Sequence, residues 1–456
     1  MSAVSKDNTI VNEKIVENAT CTFCGCCCDD ITLTVDMDKK VVTKAKDACV
    51  LGKSWFLNHV IEDKPIARIA GKEVPLDDAI DEAAKILIEA KFPILYGMSD
   101  TICEAQRQCA PIMDDCLGTI DTTTSVCHGP SGMAFQGVGE PSMTLGEVKN
   151  RADFVMYWGG NPAEAHPRHF ARYAVTPEGM FTPNGKDDRT VVICDVRHTK
   201  TAGVADIFLQ VKPGKDFELL WMLRAACKGV EIPDNCKEIC GIDKETVVDL
   251  FEKMKNCTYG VIFFGMGLTM SRGRHFNSGA LMALATDLNE FTHFVAKPAR
   301  GHGNVTGADN VVAWQTGYPF GVNFSRGHPR FNPGEFTTVD TLTRGEADAA
   351  LIIASDPVAN FPKPAIDHIT SDKCKLISID TKNTPTSEAA HVSIQTSTYG
   401  INTGGTVYRM DDVPISLRPA FDSPFPSDLE VLTKLRKKVN KLAKKLNRPY
   451  ATKKYI

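Results

Sequence analysis

The chain has 456 residues, enough for two or three domains, and its 43% hydrophobic and 24% charged positions exclude a disordered or low-complexity protein. A formal net charge of −4 with no basic stripe interleaved with aromatics argues against nucleic acid as a partner. No apolar run reaches membrane-spanning length and the first twenty residues show no export signal, so the sixteen unevenly placed cysteines point to reduced thiols in a cytoplasmic setting.

The first predicted element is a cysteine module. Cys21, Cys24, Cys28 and Cys49 stand as Cys-x2-Cys-x3-Cys-x20-Cys. A four-iron cluster is held by four thiolates, several from one tight loop and one from elsewhere, because the loop must wrap a compact anion. Structural zinc usually takes its ligands two and two across a spacer, whereas this set runs three and one. Cys26 and Cys27 lie in the same loop, and the spacing alone leaves open which register they follow.

After the module, Leu76, Ile80, Ala83, Leu87 and Ala90 recur at helical spacing behind Pro75, and the apolar run from Phe92 to Gly97 follows as a strand. The same alternation continues to residue 395. It predicts an α/β architecture of doubly wound units with parallel sheets.

An internal repeat sharpens this expectation. The segment DFVMYWGGNPAEAHP returns later as DAALIIASDPVANFP, each an apolar strand ending in a Pro-containing turn. Downstream, Asp195, Thr199, Thr201, Ala205 and Gln210 match Asp380, Thr384, Thr386, Ala390 and Gln395 without a gap. The first copy is longer between these halves, and the excess falls at TPEGMFTPNGKDDR, predicted to be a surface insertion. Ligands of open α/β sheets sit beyond the carboxyl ends of the strands, so two copies suggest two nucleotide-like ligands. A duplication whose turns bind nothing is the other reading.

Two further segments, SVCHGPSG at 125–132 and PARGHGNVTGADN at 298–310, complete a pattern that resembles the molybdopterin oxidoreductases. Within that superfamily the chain is similar, over roughly residues 15–415, to the molybdenum- or tungsten-binding B subunits of formylmethanofuran dehydrogenase, relatives of the formate dehydrogenase catalytic chain. The resemblance implies a [4Fe-4S] cluster on Cys21, Cys24, Cys28 and Cys49. It further implies two molybdopterin guanine dinucleotides that hold molybdenum or tungsten, with a terminal sulfide or oxide as sixth ligand. Cys127 would be the protein ligand, His128 would relay the proton near neutral pH, and Arg300 would bind the carboxylate.

For the dinucleotides the resemblance points to Gly160, Asn161, Pro162, Asp195, Arg197, Thr199, Gly214, Asp216, Gly265 and Gly267. In and after the second copy it points to Asp380, Thr384, Gly405 and Thr406. Lys53 would stand in for a lysine between cluster and pterin, since the expected position after Cys49 holds leucine.

The implied domains are an iron–sulfur domain at 15–65, two dinucleotide-binding domains at 126–300 and at 66–125 joined with 301–425, and a basic tail at 426–456. The superfamily's β-barrel lid is absent from this chain, which implies a separate lid subunit. Also implied are an amidohydrolase subunit and ferredoxin-like iron–sulfur subunits, with carbon dioxide and formate as the reacting pair. Leu432, Leu435, Val439, Leu442 and Leu446 make the tail a basic amphipathic helix, expected to dock on a partner. Two rivals share these features: a formate dehydrogenase whose lid is split off, and an iron–sulfur electron-transfer scaffold without pterins.

Overall fold

The computed structural model describes residues 12–446; the stretches 1–11, which includes part of the segment read for an export signal, and 447–456, the end of the basic tail, lie outside the described residues. The chain begins with a three-stranded antiparallel sheet of Glu13–Ala19, Ile31–Asp36 and Val41–Lys46. Ile31, Leu33 and Val35 alternate inward and are fully buried, as a half-buried strand requires. The cysteine loop joins its first two strands, and Cys49 caps the helix Val50–Leu57 that follows the third.

Two larger sheets carry the rest. The five-stranded sheet is parallel throughout, in the order Ile207–Gln210, Thr190–Asp195, Phe154–Trp158, Tyr259–Phe264, His293–Pro298. Its central strands are continuous apolar runs because helices cover both faces. The nine-stranded sheet has a parallel centre in the order Val392–Gln395, Lys375–Asp380, Ala349–Ile353, Pro93–Gly97, Thr119–Thr122. Short antiparallel strands extend both of its edges, so the expectation of parallel sheets holds for the centre and not for the rims.

The repeat is visible bond by bond. Asp153 accepts from the amides of Thr258 and Tyr259 (both 2.8 Å), and Asp348 accepts from those of Lys91 (2.8 Å) and Phe92 (2.9 Å). In the turns, Asn161 Oδ1 accepts from Thr201 Oγ1 and Asp356 Oδ1 from Thr386 Oγ1, each at 2.6 Å. The same threonine oxygens accept from the amides of Ala163 (3.2 Å) and Val358 (3.0 Å). These clamps fix the turn leaving one strand to the turn leaving the next. Strand order then extends the equivalence beyond the sequence match: Tyr259–Phe264 corresponds to Pro93–Gly97, and His293–Pro298 to Thr119–Thr122.

The predicted helix forms as Leu76–Glu89, with Ile80, Ala83 and Leu87 buried. The insertion is a surface loop, with Met180 and Phe181 exposed. Its closing residue Arg189 is buried and donates to five oxygens: the carbonyls of Ala152, Val175, Pro177 and Lys149 and the hydroxyl of Thr182. The C-terminal helix Asp428–Lys445 corrects one expectation for most of its stripe. Leu432, Leu435 and Val439 are fully buried against this chain's own core, Leu442 is partly buried there, and Leu446, just past the helix, is exposed. Lys434 and Lys438 pair with Asp77 and Asp81 of the helix Leu76–Glu89, so the charges that suggested docking also serve an intramolecular contact.

Candidate functional site

Cys21, Cys24, Cys26, Cys28 and Cys49 line one cavity, walled by Phe23, Ile31 and Ala48. Burial pushes the Cys21 thiol up, the Phe23 backbone opposes this, and Cys24, Cys28 and Cys49 add to it, so the four thiols of the sequence motif are electrostatic neighbours. Burial also raises Cys28, against the nearby Arg172 and Arg168. Those arginines are in turn paired with Asp29 and Asp30. A Cβ on Gly52 would lie 3.1 Å from Cys21 Sγ, so the helix Val50–Leu57 packs tightly beside the cavity. Such a buried thiol set is unfavourable as free thiolates and becomes stable when a metal centre compensates the charge, which is the chemistry of an iron–sulfur ligand set. Among the described residues, no three His, Cys, Asp or Glu side chains converge on a single-ion site.

Cys27 is turned away. Its thiol donates to the Gly303 carbonyl at 2.9 Å, and it is buried in the core of the nine-stranded sheet. Cys26 stays at the cavity beside Cys24, so of the two cysteines left open by the spacing only Cys27 leaves the group. Lys53 lies exposed on its helix.

The loop meets the Arg300 segment backbone to backbone. The Gly25 amide donates to the Gly301 carbonyl (3.2 Å), and a Cβ on Gly25 would lie 2.4 Å from the Arg300 oxygen. A Cβ on Gly303 would lie 1.9 Å from the Thr22 oxygen. His166, which lines the cysteine cavity, hydrogen-bonds the Arg300 carbonyl through Nε2 at 2.7 Å. Neither Gly25 nor His166 has a spacing signal that would single it out in sequence.

Cys127 and Arg300 occupy corresponding places. Cys127 follows the strand Thr119–Thr122 at the carboxyl end of the nine-stranded sheet, and Arg300 follows His293–Pro298 at the carboxyl end of the five-stranded one. Arg300 Nη2 donates to Thr124 Oγ1 (2.6 Å) and to the Asp309 carboxylate, which also accepts from Thr122 and Thr124. Arg300 Nε is buried and has no partner. Burial raises the Cys127 thiol, while the Arg300 charge favours its anion. Thr269, at the end of the short helix Met266–Thr269 that follows the strand Tyr259–Phe264, donates to the Cys127 carbonyl at 3.2 Å.

His128 is corrected in one respect. It is fully buried, with Nδ1 3.2 Å from Ser131 Oγ and Nε2 unpartnered. Burial first, then the Arg300 charge, pushes it down to about 3, so it is a neutral imidazole near pH 7 rather than a group titrating there.

The dinucleotide candidates divide into two groups. Thr199 Oγ1 and Asp216 Oδ2 are buried without partners, the state expected of groups shaped for a ligand. Asp216 Oδ1 meanwhile accepts from Trp158 Nε1 (2.9 Å), behind the turn at Gly214. Asp380, in the small cavity lined by Asn383, Ser387 and Gln395, is pushed up to about 7 by burial. Arg197 is exposed, and Asp195 accepts from its amide (3.4 Å).

The other group has internal employment. Gly265 and Gly267 pack on the turn at Gly159 and Gly160, and their amides donate to Trp158 and Gly159 (3.0 and 2.8 Å), so their close approach is to backbone. Asn161 and Pro162 form the clamped turn and the start of its helix. Thr384 closes a capping box with Ser387. Gly405 leaves no room for a Cβ against Ile102, and Thr406 is gripped by Glu104 through both its amide (3.0 Å) and its hydroxyl (2.8 Å).

No family model matches the chain. It is 44% identical over 438 residues to the B subunit of the tungsten-containing formylmethanofuran dehydrogenase 2 of Methanocaldococcus jannaschii, covering 94% of this chain and 99% of that one. The B subunit of the enzyme of the same name from Methanococcus maripaludis is 42% identical over 438 residues, covering 94% of this chain and all of the relative. The chain belongs to the family of formylmethanofuran dehydrogenase B subunits. It is therefore an oxidoreductase subunit.

Solved structures agree in fold. Acetylene hydratase from Pelobacter acetylenicus superposes with a TM-score of 0.71 at 13% identity, over 96% of this chain and 71% of that one. A chain of the formyltransferase/hydrolase complex of Methylorubrum extorquens, solved with methylofuran, gives 0.63 at 23% identity, over 82% and 99%. For this family member, Asp309 is the functional candidate that sequence reasoning passed over. It lies inside the segment PARGHGNVTGADN, nine residues after Arg300.

Proposed function

We propose that this subunit carries the redox site of a formylmethanofuran dehydrogenase and interconverts carbon dioxide and formate. The observation that carries the reading is that Cys127 and Arg300, electrostatic neighbours, come from equivalent strand ends of two duplicated sheets, with the Arg300 backbone bonded to His166 of a cysteine-lined cavity. Cys21, Cys24, Cys28 and Cys49 would hold a [4Fe-4S] cluster. Two molybdopterin guanine dinucleotides, one per duplicated half, would be bound by the domains 126–300 and 66–125 with 301–425. Cys127 would hold the tungsten or molybdenum between them.

When bound, the metal supplies the two-electron chemistry. This chain's residues do the rest. The Asp309 and Thr124 contacts fix the Arg300 guanidinium, leaving its buried Nε as a charged donor for a carboxylate oxygen. That donor stabilises charge as carbon dioxide becomes formate. The neutral His128 imidazole offers a hydrogen-bonding nitrogen beside Cys127. The direct backbone contact of Gly25 with Arg300 and Gly301 gives the cluster a short path to the site, in the place where the sequence lacks the expected lysine. Reduction of carbon dioxide would use low-potential electrons from ferredoxin-like subunits. Formate would pass to a separate amidohydrolase subunit for formylmethanofuran synthesis, with another subunit as lid.

Metal analysis of the purified complex tests this reading. About four iron atoms per chain, together with one tungsten or molybdenum and guanine dinucleotide, are expected. Iron without either heavy metal would leave only the electron-transfer scaffold. Dye-linked formate oxidation without formylmethanofuran formation by the complete complex would favour the formate dehydrogenase alternative.

A further inference from the structure

A second cavity, of about 220 Å³, adjoins Arg300 and is lined by Glu140, Lys297, Arg300, Asp309 and Asp412. This volume and lining suit several hydrogen-bonded waters, each needing about 30 Å³. Lys297 is buried on the strand His293–Pro298; its Nζ donates to Asp412 Oδ2 (2.7 Å) and Ser142 Oγ (3.0 Å) and lies 3.7 Å from Glu140 Oε2. Glu140 Oε1 is buried and has no partner.

The charges do not balance. Two cations face three carboxyls, and each cation has taken an aspartate at close range: Lys297 takes Asp412, and Arg300 takes Asp309. Glu140 has only a share of Lys297, at 3.7 Å, and its second oxygen has no partner. A largely buried carboxylate whose counter-ion is shared with a closer carboxylate is costly, and the cheapest remedy is a proton. Burial accordingly raises Glu140 to about 7, with Lys297 and Arg300 opposing and Asp412 adding to the rise.

We propose that Glu140 is the proton-loading residue of this site, exchanging one proton with the reaction through the cavity it shares with Arg300. The inference rests on the carbon dioxide and formate reading given above. Forming the C–H bond of formate from carbon dioxide consumes two electrons, supplied by a reduced iron–sulfur protein, and one proton. That proton leaves the Glu140 carboxyl through the cavity, and the carboxyl, whose side chain is 15% exposed, is refilled from bulk water; formate oxidation runs the same exchange backwards. Glu140 acts through the cavity and not on the carbon itself, so it is a positioning residue for the proton. Since the carboxyl is filled below about 7 and empty above it, low pH favours delivery and high pH favours uptake.

The purified holo-complex is compared as wild type, Glu140→Gln and Glu140→Asp, with metal content and melting temperature measured alongside. Infrared difference spectra from about pH 5 to about pH 9, taken on Asp380→Asn and on Asp380→Asn with Glu140→Gln so that the other carboxyl raised to about 7 does not contribute, are expected to show a protonated-carboxyl band that fades through about 7 in the first and is missing in the second. Dye-linked formate oxidation is expected to fall about a hundredfold in Glu140→Gln, to lose its limb near neutral pH, and to recover in part in Glu140→Asp. Persistence of the band when Glu140→Gln is added to Asp380→Asn, or an unchanged pH profile in Glu140→Gln, overturns the proposal. Should Glu140→Gln fail to fold, Glu140→Asp decides, since a proton-loading role requires the band and the limb to shift together. A wild-type complex that shows the Glu140 band but exchanges neither formate nor carbon dioxide upholds the buried proton and rejects the functional reading instead.

Discussion

The two duplicated sheets share their hydrogen-bonded framework and differ in how they treat the turn that follows the first strand. In the five-stranded sheet this turn is Gly159-Gly160-Asn161, in the nine-stranded sheet Ala354-Ser355-Asp356. Gly159 and Ala354 make the same amide bond across the sheet, to Cys194 and Ile379, both at 2.9 Å. Both have positive φ, +57° and +46°. Glycine adopts this conformation freely, whereas alanine does so at a cost of about 1 kcal/mol or more. What separates the copies is the neighbour. The five-stranded sheet presses Gly265 and Gly267 onto its turn, and a Cβ at Gly159 would lie 2.4 Å from the Leu268 amide nitrogen. Backbone conformation was kept through duplication, and packing decided which side chain each copy tolerates.

The sheets also donate unlike groups to one site, and this is where the comparison breaks most sharply. Cys127→Ala is expected to abolish formate and carbon dioxide turnover, with tungsten or molybdenum lost and the iron–sulfur electron paramagnetic resonance signal retained. Arg300→Lys, which keeps the charge but not the planar fork, is expected to lower kcat/KM by about 10²–10³ while both metals remain. Equal and complete loss in both variants would mean that the halves do not divide the work in this way.

Next in size come the turns themselves. Gly159→Ala is expected to destabilise by about 3 kcal/mol through overpacking, read from urea unfolding, while Ala354→Gly changes stability by less than about 0.5 kcal/mol, relief of strain being offset by chain entropy. The clamps should rank by charge. Asp356→Ala removes a charged acceptor and helix cap, at about 2 kcal/mol, and Asn161→Ala removes a neutral acceptor, at about 1 kcal/mol. The reverse ranking in thermal melts would show that charge at the turn does not set the clamp's strength.

The last difference is a pH slope in the second copy, from a contribution already lost at neutral pH and above. Asp380 is raised to about 7 by burial, against the amides of Lys382 and Thr381, with Asp428 and Asp100 adding to the rise. Its folded value lies above the unfolded one, so the folded state binds the extra proton, and this contribution to stability is lost as pH rises from about 4 through about 7. Asp380→Asn should flatten that part of the melting-temperature profile of the ligand-free chain. An unaltered slope would assign it to another group.

The sequence by itself determined what local spacing and periodicity can encode. Three cysteines in one loop and a fourth beyond it, five in-register identities between two segments, and helical spacing behind Pro75 are properties of short stretches, and each appears in the structure where those stretches fold. Periodicity also marked the stripe of Leu432, Leu435 and Val439, but not what would cover it, because an apolar face looks the same whether it meets a partner or its own core. The tertiary structure alone decided the contacts between distant segments. Arg300 and Thr124 are 176 residues apart, and nothing local in either announces the other. They meet because strand order sets Thr119–Thr122 and His293–Pro298 at matching positions of two sheets whose carboxyl ends face a common site. The roles of Asp309, of Gly25 against Arg300 and of Glu140 facing Lys297 arise the same way, from which buried charges and backbones the fold brings together.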